Sequence, residues 1–360
     1  MRPVLYFILL TFASLLAACA APDVRKPYDG PLFWPQPPDQ PRFAYEATLS
    51  SSADIAKVSE EASLREKMTG IKAVSNKPVL SKPTAVVARN GRIYVTDIGS
   101  HTIVVFDLPR RKIFRFGMRT PGNLSRPAGL ALDGKMNIYV ADASLRKVLV
   151  YDSLGLFQRE VGDPADLERP TGVAVSRDGE RIYVIDRAYN DSDQHRVVVY
   201  DKEGKKLQVI GTRGSEDGQF NIPLQGTVGP DDTLYVLDSG NFRIQAFDRD
   251  GNFLRSFGDV GKEFGNFARP RGIAVDDEGN IYISDARFNN FQIFNPAGQL
   301  LLAIGQGASE PNPGQYGMLS GIAVDETGRV YVVDQLFNRV EVLRRLSDSE
   351  GQQMLQAAEK

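Results

Sequence analysis

A five-residue pattern recurs along the chain: an apolar residue, Tyr, a second apolar residue, one variable residue and Asp. The six copies end at Asp97, Asp142, Asp186, Asp238, Asp285 and Asp334. The spacing between successive Asp residues is therefore 45, 44, 52, 47 and 49 residues. Isoleucine, valine and tyrosine favour strands, so each copy predicts a short buried strand within a repeated unit.

The positions around each copy extend it into a larger unit, and residues 269–298 read as three strands and two turns. There a short apolar run at 273–276 and the turn sequence DEGN at 277–280 precede the pattern, and an alternating run at 291–294 follows it. A fourth strand, an apolar run that leads into glycine, follows at 114–117, 209–211, 254–258 and 301–305. Four short strands in a period of about 40–50 residues are typical of a propeller blade. The sequence therefore predicts an all-β fold, a six-bladed β-propeller of four-stranded blades.

The repeated unit resembles the NHL repeat, and the best copy is 211–258, which contains GTRGSEDGQFNIP and TLYVLDSGNFRIQAFDRDGNFLRSFG. The resemblance covers roughly residues 78–343 and implies a six-bladed propeller. Three copies depart from the pattern. The first lacks the glycine after its proline at 83–85, the fourth reads Pro-Leu-Gln at 223–225, and the fifth has Asn-Phe at 290–291 where Arg-Ile is usual.

The N-terminus has the organisation of a secretory signal. A minimal basic region is followed by an apolar run at 4–16, which is too short to span a bilayer comfortably, and then by Leu-Ala-Ala-Cys at 16–19. This ending resembles the lipobox of bacterial lipoproteins. We therefore expect residues 1–18 to be a signal peptide and Cys19 to be lipidated, and Ala20 favours sorting to the outer membrane. An ordinary secretory signal with a chance cysteine is the alternative.

The segments outside the repeats have separate expected roles. Residues 19–41 contain seven prolines and predict an extended tether. The last repeat, which ends the propeller at 78–346, lacks a fourth strand, and the alternating segment 42–50 can fill this slot and close the ring. Residues 51–77 predict a short helical connection, and 347–360 a polar tail.

One end of the ring is the candidate ligand face. In a propeller, the loops from strand 4 to strand 1 of the next blade share one end with the loops from strand 2 to strand 3. The first set carries Lys82, Arg126, Arg169, Arg269 and Arg271. In the third repeat the second kind of loop is longer than in the others, and it carries Arg187, Asp191, Asp193 and His195. Loops that break a repeat are candidate recognition sites, so we expect a partner to bind here.

Structural roles are the alternative for these charged residues. Asp142 with Arg146, Asp238 with Arg243 and Asp334 with Arg339 recur at repeat spacing, which suits ion pairs or turn caps. Asp191 and Asp193 could lie in a solvated loop or hold calcium weakly, but their segment lacks the glycine and distal glutamate of a calcium loop.

Composition restricts the chemistry. The net charge of −2 gives no indication of nucleic-acid binding. The NHL-type propellers that the repeats resemble include a zinc lyase with three histidine ligands, a set that the two histidines of this chain cannot supply. We therefore expect no metal and no cofactor. Two functions remain open. The first is a monomeric, membrane-anchored, non-enzymatic binding or scaffolding protein with an envelope or periplasmic protein partner. The second is a hydrolase or lyase with a site in the central channel.

Overall fold

The computed structural model describes residues 32–56, 68, 75 and 77–358. Within these residues six antiparallel sheets are arranged as the blades of a propeller. The first strands of the described part are β1 (Phe33–Trp34) and β2 (Phe43–Leu49). Blade 1 contains β3 (Pro83–Arg89), β4 (Arg92–Asp97), β5 (Thr102–Asp107) and β6 (Lys112–Phe116). Blade 2 contains β7 (Pro127–Leu132), β8 (Ile138–Asp142), β9 (Lys147–Tyr151) and β10 (Phe157–Val161).

The remaining blades follow the same order from the channel outwards. Blade 3 contains β11 (Pro170–Val175), β12 (Arg181–Asp186), β13 (Arg196–Asp201) and β14 (Lys206–Ile210). Blade 4 contains β15 (Pro223–Val228), β16 (Leu234–Asp238), β17 (Arg243–Phe247) and β18 (Phe253–Phe257). Blade 5 contains β19 (Pro270–Val275), β20 (Ile281–Asp285), β21 (Asn290–Phe294) and β22 (Leu300–Ile304). A small parallel pair, β23 (Gln306–Gly307) and β24 (Gln315–Tyr316), precedes β25 (Leu319–Val324), β26 (Val330–Asp334) and β27 (Arg339–Arg345) of blade 6.

The core lies between neighbouring blades. The second and third strands of each blade have apolar side chains on both faces, and these side chains are buried against the blades on either side. The inner strands converge so closely that a Cβ built on Gly129 of blade 2 would lie 2.7 Å from Cα of Gly172 in blade 3. Glycine is required there because any side chain would push two inner strands apart.

The ring is closed by the N-terminal strand, as the sequence predicts. Strand β2 pairs antiparallel with β27 and supplies the fourth strand of blade 6. A bulge between Tyr45 and Ala47 interrupts the pairing, and an extra residue reverses the faces on which later side chains lie. Phe43 consequently packs in the core between blades 5 and 6, whereas Leu49 packs in the core between blades 6 and 1.

The segment before the closing strand is also attached to blade 6. Strand β1 pairs with β2 and adds a fifth strand, with Phe33 opposite Ala44. The side chain of Trp34 lies against Gly314, where a Cβ would be 2.4 Å from the indole ring. From Phe33 onwards the predicted tether at 19–41 therefore packs on the propeller, because Phe33 and Trp34 supply apolar side chains that pack against it.

The other predicted segments are described only in part. The signal peptide and Cys19 lie outside the described residues, as does most of the connection at 51–77, of which a short 3-10 turn at Ser52–Asp54 is described. The polar tail forms helix α1 (Asp348–Ala358). In the described part of the chain, no helix has the length and apolar character needed to cross a bilayer.

Candidate functional site

The aspartates that end the second strands bind backbone groups within their own blades. Asp142, for example, accepts hydrogen bonds from the backbone N–H groups of Ser125 and Arg126 at 2.7–3.0 Å. Asp97, Asp186, Asp285 and Asp334 accept the equivalent pairs of N–H groups in their blades. All six carboxylates are buried. They cap the loop that leads into each inner strand. These aspartates therefore have the structural role that the sequence indicates as the alternative to ligand binding.

The repeat-spaced arginines do not all pair with these aspartates. The Nε atom of Arg243 lies 3.0 Å from Asp238, and Arg339 lies 3.7 Å from Asp334. In blade 2, however, Arg146 donates from Nε to the carbonyl oxygen of Leu167, in the loop that leads into β11, at 2.5 Å. The interaction of the aspartates with backbone N–H groups, rather than an ion pair, is therefore the feature shared by all six blades.

The long loop of blade 3 has a fixed conformation. The carboxylate of Glu168 accepts hydrogen bonds from the hydroxyl of Ser192 at 3.0 Å and from the backbone N–H of Tyr189 at 3.4 Å. The carbonyl oxygen of Asp193 accepts one from the backbone N–H of Arg213, at 3.2 Å. These contacts bind the loop to the body while leaving the side chains of Asp191 and Asp193 exposed.

His195 differs from the expectation that it belongs to the ligand face. Its side chain is fully buried, with Nε2 3.1 Å from the carbonyl oxygen of Tyr189. Its Nδ1 accepts the backbone N–H of Ile222 at 3.2 Å, which in the other blades is the role of an aspartate oxygen. His195 is therefore a structural residue. The sequence does not reveal this, because the acceptor and the donor belong to different blades.

Five arginines come together at the end of the ring that the sequence indicates. We call Arg126, Arg169, Arg187, Arg269 and Arg271 the arginine rim. The backbone carbonyl oxygens of Arg126 and Arg269 accept N–H groups from the turns that follow β8 and β20, which places both residues at this end. Burial lowers the pKa of Arg187, and the neighbouring charges of Arg169 and Arg126 lower it further. Burial likewise lowers the pKa of Arg271, with further contributions from Arg269 and Arg187.

A channel cavity of about 200 Å³ lies towards the opposite end of the ring. Its walls are mainly small and apolar side chains from the inner strands, and charged side chains, including Arg89, Arg177, Asp277 and Glu326, stand at the end where the inner strands finish. An ion pair of 2.5 Å joins Arg177 of blade 3 to Asp277 of blade 5. No sequence signal distinguishes this second charged end, because its residues lie in ordinary turns between strands 1 and 2.

No metal-binding site is evident in the part of the chain that the structure describes. Within those residues, no group of three or more histidine, cysteine, aspartate or glutamate side chains is arranged to hold a metal ion.

Comparisons with known proteins agree with the blade architecture. A family model described as the NHL repeat matches residues 267–294, which contain β19, β20 and β21. Among solved structures, a structural-genomics protein of unknown function from Bacteroides thetaiotaomicron matches with a TM-score of 0.60 and 15% identity, covering 83% of this chain and 76% of that one.

Two solved enzymes share the fold. A gluconolactonase from Xanthomonas campestris matches with a TM-score of 0.57 and 20% identity, covering 74% of this chain and 87% of the other. A streptogramin B lyase matches with a TM-score of 0.55 and 15% identity, covering 74% and 94%. At these identities the likeness concerns the fold alone. The chain is a six-bladed β-propeller that carries an NHL repeat in its fifth blade.

Proposed function

We propose that this chain is a lipid-anchored protein of the bacterial cell envelope whose propeller is a non-enzymatic binding module for an envelope or periplasmic protein. The observation that carries the proposal is the asymmetry of one end of the ring. There the long loop of blade 3 interrupts the sixfold repeat beside the arginine rim. A single partner recognises an asymmetric surface more readily than a ring of equivalent blades.

The chemistry of this end suits a polar contact. Asp191 and Asp193 present exposed carboxylates at the end of the ring that carries the arginine rim, and the loop that carries them is held by Glu168. A surface that is ordered before binding loses less conformational entropy on association. Complementary charges mainly raise the association rate and the selectivity, and they make binding salt-sensitive.

Charge reversal tests the partner surface without disturbing the loop. We expect Asp191→Lys with Asp193→Lys to weaken recovery of envelope proteins from solubilised membranes, while the circular dichroism spectrum is unchanged. Deleting the loop would be a poorer test, because His195 supports Ile222 of the next blade. Glu203→Lys is the matched control, since Glu203 is exposed in the turn between β13 and β14 at the opposite end. Equal recovery by all three proteins would refute the proposed surface.

The proposed lipid anchor is inferred from the sequence Leu-Ala-Ala-Cys at 16–19. We expect Cys19→Ser to release the protein from the membrane fraction or to leave an unprocessed precursor. Ser14→Ala, in the same apolar run, should fractionate as the native chain does. If Cys19→Ser protein remained wholly with the membranes at high salt, lipidation would not be the anchor.

A hydrolase or lyase is the second candidate, favoured by the channel cavity and its charged end. The fold is shared with a lyase and a gluconolactonase, but the sequence identities are too low for either activity to be inferred from the match. Elemental analysis of protein purified without chelator distinguishes the candidates, and we expect less than about one equivalent of zinc or calcium per chain. A stoichiometric metal released only by denaturation would make the enzyme the better proposal.

A further inference from the structure

Equivalent positions in the six blades show where the side chain of Arg187 points. The residue that follows the aspartate of strand 2 is Ile98, Ala143, Arg187, Ser239, Ala286 or Gln335. Where this residue is serine or glutamine, its side chain reaches the first residue of the next inner strand. Ser239 donates to the carbonyl oxygen of Pro270 at 3.0 Å, and Gln335 donates to that of Pro83 at 3.1 Å. This position therefore faces the mouth of the channel, and blade 3 places an arginine there.

A second position leads to the same mouth. The second residue of the inner strand is Thr84, Ala128, Thr171, Leu224, Arg271 or Ser320. Ser320 donates to the carbonyl oxygen of Thr84 at 2.7 Å, and Thr171 donates to that of Leu224 at 3.0 Å. Side chains at this position thus lie between neighbouring inner strands, and blade 5 places Arg271 there.

These two arginines are half-buried but have no charge partner among the described residues. Arg187 donates from Nη2 to the side-chain oxygen of Asn190 at 3.0 Å, and its buried Nε has no partner. Arg249, at the other end of the ring, shows the usual arrangement, with carboxylates of Asp178 and Asp232 each at 2.7 Å. Burying an unpaired cation costs free energy. Residues that bear such a cost are candidates for ligand binding.

We propose that the arginine rim is a binding site for a compact oxyanion ligand that carries at least two negative charges. The guanidinium groups of Arg187 and Arg271 hold its anionic oxygens over the channel mouth, within the circle of the other three arginines. A guanidinium presents its N–H groups as a planar fork that matches both carboxylate and phosphate oxygens. The nearby aspartates of the second strands do not compete, because backbone N–H groups already occupy them.

The site lies at the mouth of the channel and not deep inside it. The walls of the 200 Å³ cavity include neither Arg187 nor Arg271. Neighbouring inner strands pack so closely around the channel that no side chain fits between Gly129 and Gly172. A ligand on the arginine rim is therefore a small molecule seated on the end of the ring. Its binding goes beyond the proposed protein contact and requires no partner protein.

Calorimetric titration of the full chain in detergent tests the site. The probes are tricarballylate for carboxylates, inorganic phosphate for phosphates and acetate as a monoanion, all at one ionic strength set with sodium chloride. We expect saturable binding of one equivalent of tricarballylate, phosphate or both, and at least tenfold weaker binding of acetate. The stronger multivalent probe identifies the ligand class. Absence of saturable binding by both would overturn the proposal and would leave the Asp191 and Asp193 experiment unaffected.

Single substitutions assign the binding to the two inner arginines. Arg187→Gln and Arg271→Gln should each weaken the preferred anion at least tenfold, since each removes a charge-assisted contact. Arg111→Gln is the control, because Arg111 is exposed at the turn between β5 and β6 at the other end of the ring, and it should bind as the native chain does. Unchanged affinity in both rim variants would overturn the proposal.

Thermal unfolding without ligand gives an independent readout. Because each Gln variant removes a half-buried unpaired charge, its Tm should be equal to that of the native chain or about 1–3 °C higher. If a Gln variant did not fold, Arg187→Lys would replace it, since lysine keeps the charge but not the planar fork. That variant should still bind the anion more weakly, and full affinity would contradict the role of Arg187.

Discussion

The closing strand β2 offers a quantitative test of how the ring is held together. Its bulge sends Phe43 into the core between blades 5 and 6 and Leu49 into the core between blades 6 and 1, where their exposed fractions are 5% and 2%. Truncating a buried Phe to Ala costs about 3–5 kcal/mol, and truncating a buried Leu costs about 2–5 kcal/mol. Since the two side chains occupy different cores, we expect the costs of Phe43→Ala and Leu49→Ala to add.

The matched control is Glu46→Ala in the same strand. Glu46 pairs with Arg329 at 2.7 Å, but both side chains are about one-third exposed, so its loss should cost about 0–1 kcal/mol. Urea unfolding measures all three variants. With an m-value of about 3 kcal/mol/M, each core variant should lower the midpoint by about 1 M.

The only tryptophan of the chain, Trp34, reports on closure. It lies in β1 beside the closing strand and packs against blade 6. In the core variants we expect its fluorescence to change at lower urea than the circular dichroism of the whole sheet, because the closing strand would separate first. Midpoints for Phe43→Ala and Leu49→Ala equal to that of Glu46→Ala would refute this account of closure.

Three further predictions concern buried groups. Burial raises the pKa of Glu341 above its unfolded value, so its contribution to stability is present at low pH and is lost as pH rises through the folded pKa. Glu341→Gln, the residue type at this position in blades 4 and 5, should therefore gain stability relative to the native chain as pH rises above about 4.3, and a constant Tm difference from pH 4 to 8 would contradict this. Asp285→Ala should lower the free energy of unfolding by about 3 kcal/mol or more in chemical denaturation, since it leaves several backbone N–H groups without an acceptor. A cost no larger than that of Asp259→Ala, at an exposed position, would count against the capping role. Gly129→Ala should cost about 1–3 kcal/mol, because its Cβ would lie 2.7 Å from the Cα of Gly172, and an unchanged Tm would show that the inner strands can separate freely.

The sequence by itself determined the blade count, the order of strands and the closure. The six copies of the pattern ending at Asp97, Asp142, Asp186, Asp238, Asp285 and Asp334 each became a buried second strand. The strands and turns are local features, because strand periodicity and turn residues act within a few positions of the chain. The missing fourth strand of the last repeat also predicted the role of the N-terminal strand. The NHL match at 267–294 covers the fifth copy of this pattern.

Only the tertiary structure decided what each side chain contacts. The bulge in β2 determines which cores Phe43 and Leu49 enter, and no pattern in the sequence predicts this bulge. His195 is buried because its partner, Ile222, belongs to the neighbouring blade. Arg187 and Arg271 lie in blades 3 and 5, more than eighty positions apart in the sequence, and they become electrostatic neighbours because the ring closes. The sequence specifies strands through local interactions, whereas side-chain neighbours across the channel depend on the closure of all six blades.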